Sequence, residues 1–198
     1  MNNDIQLMLG QTDIYLVDQI LKELYKPGDA ILDAGCGSGR NMHWFLQKGY
    51  FINGIDSSVV AIEELKEKYP NIDKHFKVAP VESTGFDDNY FDHIICSAVL
   101  HFAENTNHFN SMLSEMIRIL KPGGTIFIRM AADIGIEDKV ELIADGVYAI
   151  PDGSVRFLLT RSLLANCMQQ YNLSFAEPLK TTNVDDVRCM STLVLLKH

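Results

Sequence analysis

Apolar residues recur at two spacings along this chain, and the two spacings alternate. Ile14, Val17, Leu21 and Leu24 fall three and four apart, which predicts a helix over 14–24 with one apolar face, ended by Pro27-Gly28. The short apolar run 30–34 then predicts a buried strand, followed by a glycine-rich turn from Gly35 to Gly39. A helix is expected over 41–48, with Met42, Phe45 and Leu46 inward and Gly49 stopping it. The next strand covers 51–56, and Ser57 or Ser58 is placed to cap a helix running to Tyr69. Strands are expected at 75–79, 91–98 and 125–131. Between the last two lies an amphipathic helix over 107–120, through Phe109, Met112, Leu113, Met116, Ile117 and Leu120.

Strands alternating with helices predict an α/β fold with a mostly parallel sheet and right-handed crossovers. The pattern loosens after Ala131. Residues 132–159 read as a long connection with one short helix near 137–143, a segment suited to a lid over a site. Thr160 is placed to cap a helix through Tyr171, and strands at 174–180 and 188–196 read as an antiparallel hairpin at one sheet edge. No linker or repeat interrupts the chain. One domain over 1–198 is expected, with residues 1–29 as an N-terminal helical cap.

The turn after the first strand carries the chemistry. Gly35, Gly37 and Gly39 stand between a strand and a helix: Gly35 for a tight turn, Gly37 for close approach of a ligand to backbone, Gly39 for helix–ligand approach. Asp56 ends the next strand, where a carboxylate can accept both hydroxyls of a ribose. A dinucleotide fingerprint is GxGxxG. Here the pattern is GxGxG followed by Arg40, a large side chain where that fingerprint wants a small one. Asp33 places a carboxylate at the same strand end, unfavourable beside a pyrophosphate and favourable beside an ammonium. S-Adenosylmethionine therefore suits the turn better than NAD, and no GxxxxGK[ST] sequence supports a P-loop.

Composition narrows the setting. The 198 residues are 47% hydrophobic and 22% charged, enough for a substantial core. A formal charge of −9 weighs against a phosphate backbone as main partner. Cys36, Cys96, Cys167 and Cys189 form no CxxC pair, and the start MNNDIQLML lacks the basic and apolar regions of a signal peptide. No apolar stretch reaches 18 residues. A reducing, cytoplasmic setting is expected. His43, His75, His93, His108 and His198 show no ligand spacing, so no metal is assigned.

The pieces LDAGCGSGRN (32–41), Asp56, VAPVESTGFDDNYFDHIICSAVLHF (78–102) and ILKPGGTIFI (119–128) together resemble the class I S-adenosylmethionine-dependent methyltransferases. Short single-domain members, including the tellurite-resistance type, share this outline. The resemblance implies a Rossmann-like three-layer sandwich whose seven strands run 3-2-1-4-5-7-6, the last antiparallel. It also implies that Asp33, Gly35 and Gly37 surround the methionine part of the cofactor, with Cys36, Arg40 and Asn41 also among the cofactor-binding residues. Asp56 then holds the ribose, Ser57 lies near the adenine, and Ser97 and Ala98 pass under the sulfonium. The family places an acidic residue where this chain has Pro80, which has no side-chain acceptor. Val81 is left to pack near the adenine plane, and Glu82 or a backbone carbonyl to take over the amino contact.

His101 is the candidate base or orienter, and the resemblance sets it, with Phe102, at the position that faces the transferred methyl or the substrate. Further substrate candidates are Tyr15 and Gln19, off the apolar stripe of the first helix, and Arg129, Tyr148 and Arg156; Arg161 joins the arginines able to receive an anion. The expected activity is in-line methyl transfer to a small molecule by a monomer or homodimer, giving S-adenosylhomocysteine. The alternatives are a non-catalytic S-adenosylmethionine-binding regulator and a methyltransferase acting on RNA or protein.

Overall fold

The computed structural model describes residues 2–198, with side chains from Ile5 onward. Two short helices open the chain, α1 (Asn2–Leu9) and α2 (Ile14–Leu21). The alternating part follows as β1 (Ile31–Ala34), α3 (His43–Gln47), β2 (Ile52–Asp56), α4 (Val59–Lys68), β3 (Phe76–Val78), β4 (Phe91–Ser97), α5 (Thr106–Ile119) and β5 (Leu120–Ala132). The remainder comprises β6 (Glu141–Ala144), β7 (Val147–Ala149), β8 (Val155–Phe157), α6 (Arg161–Gln170), β9 (Leu173–Phe175), β10 (Lys180–Val184) and β11 (Arg188–Lys197).

The main sheet runs β10-β11-β5-β4-β1-β2-β3, with β9 also paired to β11. β1 to β5 are parallel, and β11 lies antiparallel between β5 and the β9/β10 edge. This is the expected order 3-2-1-4-5-7-6, with its sixth strand in two pieces. β9 pairs with Leu195–Lys197 and β10 with Arg188–Thr192. The expected continuous strand over 174–180 is broken where Pro178 lies between the pieces, because proline gives no donor to a ladder.

The inner parallel strands β1, β2, β4 and β5 are largely buried on both faces, as their apolar runs require, while β3 at the edge leaves Lys77 and Val78 exposed. Ile31, Ile95, Phe127 and Val194 point to one side, where Leu16, Ile20, Phe45, Ile62 and Leu65 of α2, α3 and α4 cover them. Their neighbours Leu32, Ile94, Ile126 and Leu193 point to the other, against Phe109, Met116, Leu164 and Cys167 of α5 and α6. The period of two in each strand thus builds the three layers. Helix starts are fixed by side-chain caps. Asp13 accepts from Tyr15 N, Ser58 from Ala61 N, Asn105 from His108 N and Thr160 from Leu163 N.

Two further expectations are overturned. The apolar stripe assigned to the first helix is not its buried face: Ile14 and Leu21 are 70% and 78% exposed, while Leu16, Val17, Gln19 and Ile20 are buried. In an eight-residue helix pinned at Asp13, the orientation follows the cap rather than the longest apolar series. The connection after Ala132 holds no helix at 137–143. It forms a three-stranded antiparallel sheet, β6-β7-β8, turned at Asp145-Gly146. Asp145 accepts from Thr106 N and Thr106 Oγ1, at 3.2 and 2.7 Å, and Phe157 stacks on Phe109 at 4.9 Å, anchoring this small sheet to α5.

Candidate functional site

At the carboxyl end of β1 the chain turns sharply under β2. Gly35 N and Cys36 N both donate to Ile55 O at 2.8 and 2.9 Å. Gly35 has φ +76°, and a Cβ there would lie 2.3 Å from Val99 Cγ2, so both conformation and space demand glycine. Gly37, at φ +52°, has open space where a Cβ would stand. Gly39 plays a different part from the one expected. Its missing Cβ would meet Leu65 Cδ2 at 2.5 Å, so it lets the loop close on α4 rather than on a ligand.

Two carboxylates stand at this turn. Asp56 accepts from Gly37 N and Ser58 N, both at 2.8 Å, one on each oxygen. A carboxylate oxygen accepts about twice, so each keeps a site for an outside donor. Asp33 is almost fully buried, and its Oδ2 has no partner among the described residues. Burial pushes its pKa up to about 7, with Arg40 opposing and nearby Asp56 adding to the shift. Cys36 is also buried, its thiol raised chiefly by desolvation.

A cleft of about 400 Å³ opens beside them. Gly35, Asp56 and Ser57 form one wall, Pro80, Val81 and Glu82 a second, and Ala98, Val99, Phe102 and Met112 the third. Glu82 reaches His108, its Oε1 lying 3.7 Å from Nε2 while His108 Nδ1 accepts from Glu104 N at 3.2 Å.

A second cavity, about 510 Å³, lies on the other side of Ala98, which lines both. Arg40, Arg129, Arg156 and Arg188 converge on it together with His101. Asp152 and Ser154, on the turn between β7 and β8, form its rim. Ala98 has φ +64°, a left-handed conformation that disfavours an alanine by about 1 kcal/mol. The bond from its N–H to Arg129 O, 2.7 Å, holds it there.

Asp13 ties these parts together. It is 5% exposed, and its Oδ2 lies 3.1 Å from Arg129 Nη1, 3.3 Å from Ser97 Oγ and 3.8 Å from Arg40 Nη2. Its own N–H donates to Asn41 Oδ1 at 3.0 Å. Arg40, Asn41 and Ser97, expected around the cofactor, thus meet at Asp13, and Arg40 turns into the second cavity. The Arg129 guanidinium lies 5.1 Å over the Tyr15 ring, and the Tyr15 hydroxyl bonds Thr182. Gln19 faces elsewhere: it donates to Asp18 and Glu177 at the sheet edge, because the buried side of α2 carries it there. Tyr148 packs with Ala131, Ile150 and Leu158 behind the second cavity, and Arg161 is exposed at the start of α6. Phe102 contacts His101 edge-on and carries the Arg156 guanidinium 5.2 Å over its ring.

Asp13, Asp152 and Arg188 went unnoticed in the sequence. Asp13 carried a readable signal, an aspartate immediately before a helix, which marks a cap but says nothing of Arg129. Arg188 opens the last strand, and only the antiparallel register that sets Cys189 opposite Ala132 brings it to the end of β5.

His101 is 8% exposed, and its Nδ1 accepts from Ala131 N at 3.3 Å, which leaves the proton on Nε2. Burial and then Arg156, Arg129 and Arg188 depress its pKa to about 4. The imidazole is a neutral donor near neutral pH. Since the unfolded side chain titrates near 6.5, the unfolded chain binds the extra proton first, and stability falls as pH drops from about 6.5 to 4. His101→Gln is expected to flatten this acid limb in urea titrations between pH 4 and 7. An unchanged limb would contradict the neutral assignment.

A larger groove, about 780 Å³, runs among Ile5, Met8, Ile20 and Trp44, but neither Asp33 nor Asp56 reaches it.

Residues 32–128 match the family model described as a methyltransferase domain. Demethylmenaquinone methyltransferase of Renibacterium salmoninarum is 30% identical over 102 residues, 52% of this chain and 41% of that protein's length. Among solved structures, a S-adenosylmethionine-dependent methyltransferase of Methanosarcina mazei superposes with a TM-score of 0.74 at 20% identity, covering 90% of this chain and 96% of that one. The 1,6-didemethyltoxoflavin-N1-methyltransferase of Burkholderia thailandensis, solved with 1,6-didemethyltoxoflavin and S-adenosylhomocysteine, gives 0.71 at 17% identity, covering 99% and 82%. The glycine turn, the two strand-end carboxylates and the antiparallel seventh strand stand in and around a segment that matches a methyltransferase domain, in a chain with the fold of these S-adenosylmethionine-dependent methyltransferase structures.

Proposed function

We propose that this protein transfers a methyl group from S-adenosylmethionine to a small molecule seated in the arginine-lined cavity. The observation that carries the reading is that two cavities of different chemistry meet at Ala98. The cleft fits the cofactor on its own residues. Asp33 offers a buried carboxylate oxygen without a partner to an ammonium, and Asp56 keeps acceptor sites for two ribose hydroxyls. Val81, Val99 and Met112 offer apolar walls to a base, and Glu82 on the same lining would supply an acceptor for an amino group. Open space beside Gly37 admits the ligand close to backbone.

S-Adenosylmethionine supplies a methyl already activated by its sulfonium centre. The protein then has to align the acceptor and exclude water. Ala98 is common to the linings of both cavities. His101 orients the acceptor by donating from Nε2–H. It is a poor base, since Nδ1 is engaged and its pKa is low. The whole chain acts as one domain, with α1 and α2 as cap and the β6–β8 sheet as cover for the acceptor cavity.

Calorimetry with S-adenosylmethionine and S-adenosylhomocysteine tests the reading. The wild type is expected to bind both, and Asp56→Ala to weaken binding by about a hundredfold, since charge-assisted bonds contribute roughly 1.5–3 kcal/mol each. Absent binding, or an unchanged affinity in a folded Asp56→Ala variant, would overturn it.

A further inference from the structure

The acceptor cavity is cationic in a strongly acidic protein. The chain carries a formal charge of −9, yet four guanidinium groups line this one cavity. Among the described residues, the carboxylates paired with them are Asp13 and Asp152. Asp13 serves both Arg40 and Arg129, and Asp152 lies 3.6 Å from Arg188. His101 adds no negative charge. Two positive charges are left over in a cavity large enough for a small molecule.

The donors are also unfilled. Arg129 keeps a buried Nε without an acceptor among the described residues. Arg156 meets no carboxylate within 4 Å among the described residues; its Nη1 donates to Val155 O at 2.7 Å, and its guanidinium carbon lies 5.2 Å over the Phe102 ring. Neither contact is with an anion, and the residue lines the cavity. Asp152 is already an acceptor for Ser154 N and Oγ, at 2.9 and 2.7 Å, so it is held on the rim rather than directed at a ligand. Planar guanidiniums recognise planar or tetrahedral oxyanions by paired bonds, and a cluster of them repels a cationic acceptor.

We propose that the methyl acceptor is a small oxyanion-bearing molecule, a carboxylate or a phosphate, whose anionic group is held by Arg156 with Arg129 and Arg188. This rests on the neighbouring cleft being the donor site, but it is read out without catalysis.

The test is calorimetric titration of inorganic phosphate, and separately of benzoate, into the full chain with saturating S-adenosylhomocysteine. Chloride keeps ionic strength constant. Wild type, Arg156→Gln, Arg156→Lys and the outlying Arg161→Gln are compared. At least one of the two anions is expected to saturate a single site on the wild type, and which one does so tells phosphate from carboxylate. Arg156→Gln should weaken that binding tenfold or more, Arg156→Lys less, and Arg161→Gln not at all. S-Adenosylhomocysteine affinity should stay within threefold in all four. No saturable binding of either anion, or binding that Arg156→Gln leaves unchanged, would overturn the proposal. Should S-adenosylhomocysteine itself fail to bind the wild type, the donor reading falls, and the same anion titration without it still decides whether the arginine site exists.

Discussion

Asp33→Asn is expected to make this protein more stable at pH 8 by about 2 kcal/mol, while S-adenosylmethionine affinity drops by about a hundredfold or more. The folded pKa near 7 exceeds the unfolded value of 3.8. Between those values the folded chain holds a proton that the unfolded chain has released, so stability falls as pH rises from about 4 to 7, and above 7 the whole penalty is present. Three pKa units correspond to about 4 kcal/mol, of which a buried, poorly partnered amide gives back roughly half. Urea denaturation at pH 5 and pH 8 should therefore show the gap between variant and wild type widening by about 2 kcal/mol. His101 titrates in both proteins and drops out of the difference. A gap that does not change with pH would remove Asp33 as a destabilising buried carboxylate. The paired loss of binding is the functional half of the expectation: the group that weakens the empty fold is the one an ammonium would neutralise.

Asp13→Ala is expected to act in the opposite direction, destabilising the fold by about 3 kcal/mol or more. The substitution strips two guanidiniums of their shared carboxylate and removes the cap of α2. Adding Arg129→Gln should recover part of the loss, because the uncompensated buried charge goes with it. S-Adenosylhomocysteine affinity should change little, since Asp13 touches the acceptor side. Strictly additive effects of the two substitutions in denaturant titrations would show that the pair is not coupled.

How much of this was legible in the sequence follows from what kind of order each part needs. The inner parallel strands announce themselves because both faces are largely buried, and the glycine turn because φ +76° at Gly35 and the Val99 contact exclude any side chain. Asp56 is legible because it ends a strand at a fixed distance from that turn. The orientation of α2 was not, because Ile14 and Leu21 are apolar yet exposed, and a pattern cannot tell which apolar series meets the core. The β6–β7 hairpin was within reach: Asp145-Gly146 stands between short apolar runs, a turn signal hidden by a helix-like spacing at 137–143. Gly39 looked like a ligand contact because only the fold shows Leu65 waiting there. The arginine cavity was the least legible part. Arg40, Arg129, Arg156 and Arg188 are each ordinary in their own neighbourhoods, and their meeting is a property of strand register.

The two cavities lean on the matched segment unequally. Everything that lines the cleft beside Asp56, from Gly35 to Met112, lies inside the segment 32–128 that matches the methyltransferase domain. The arginine-lined cavity takes Arg40, Ala98 and His101 from that segment, takes Arg129, Ile150, Asp152, Arg156 and Arg188 from after it, and reaches Asp13 before it by way of Arg129. Three of its four guanidiniums therefore stand outside the stretch that the chain shares with the family model, so most of that cavity's positive charge is contributed by the flanks.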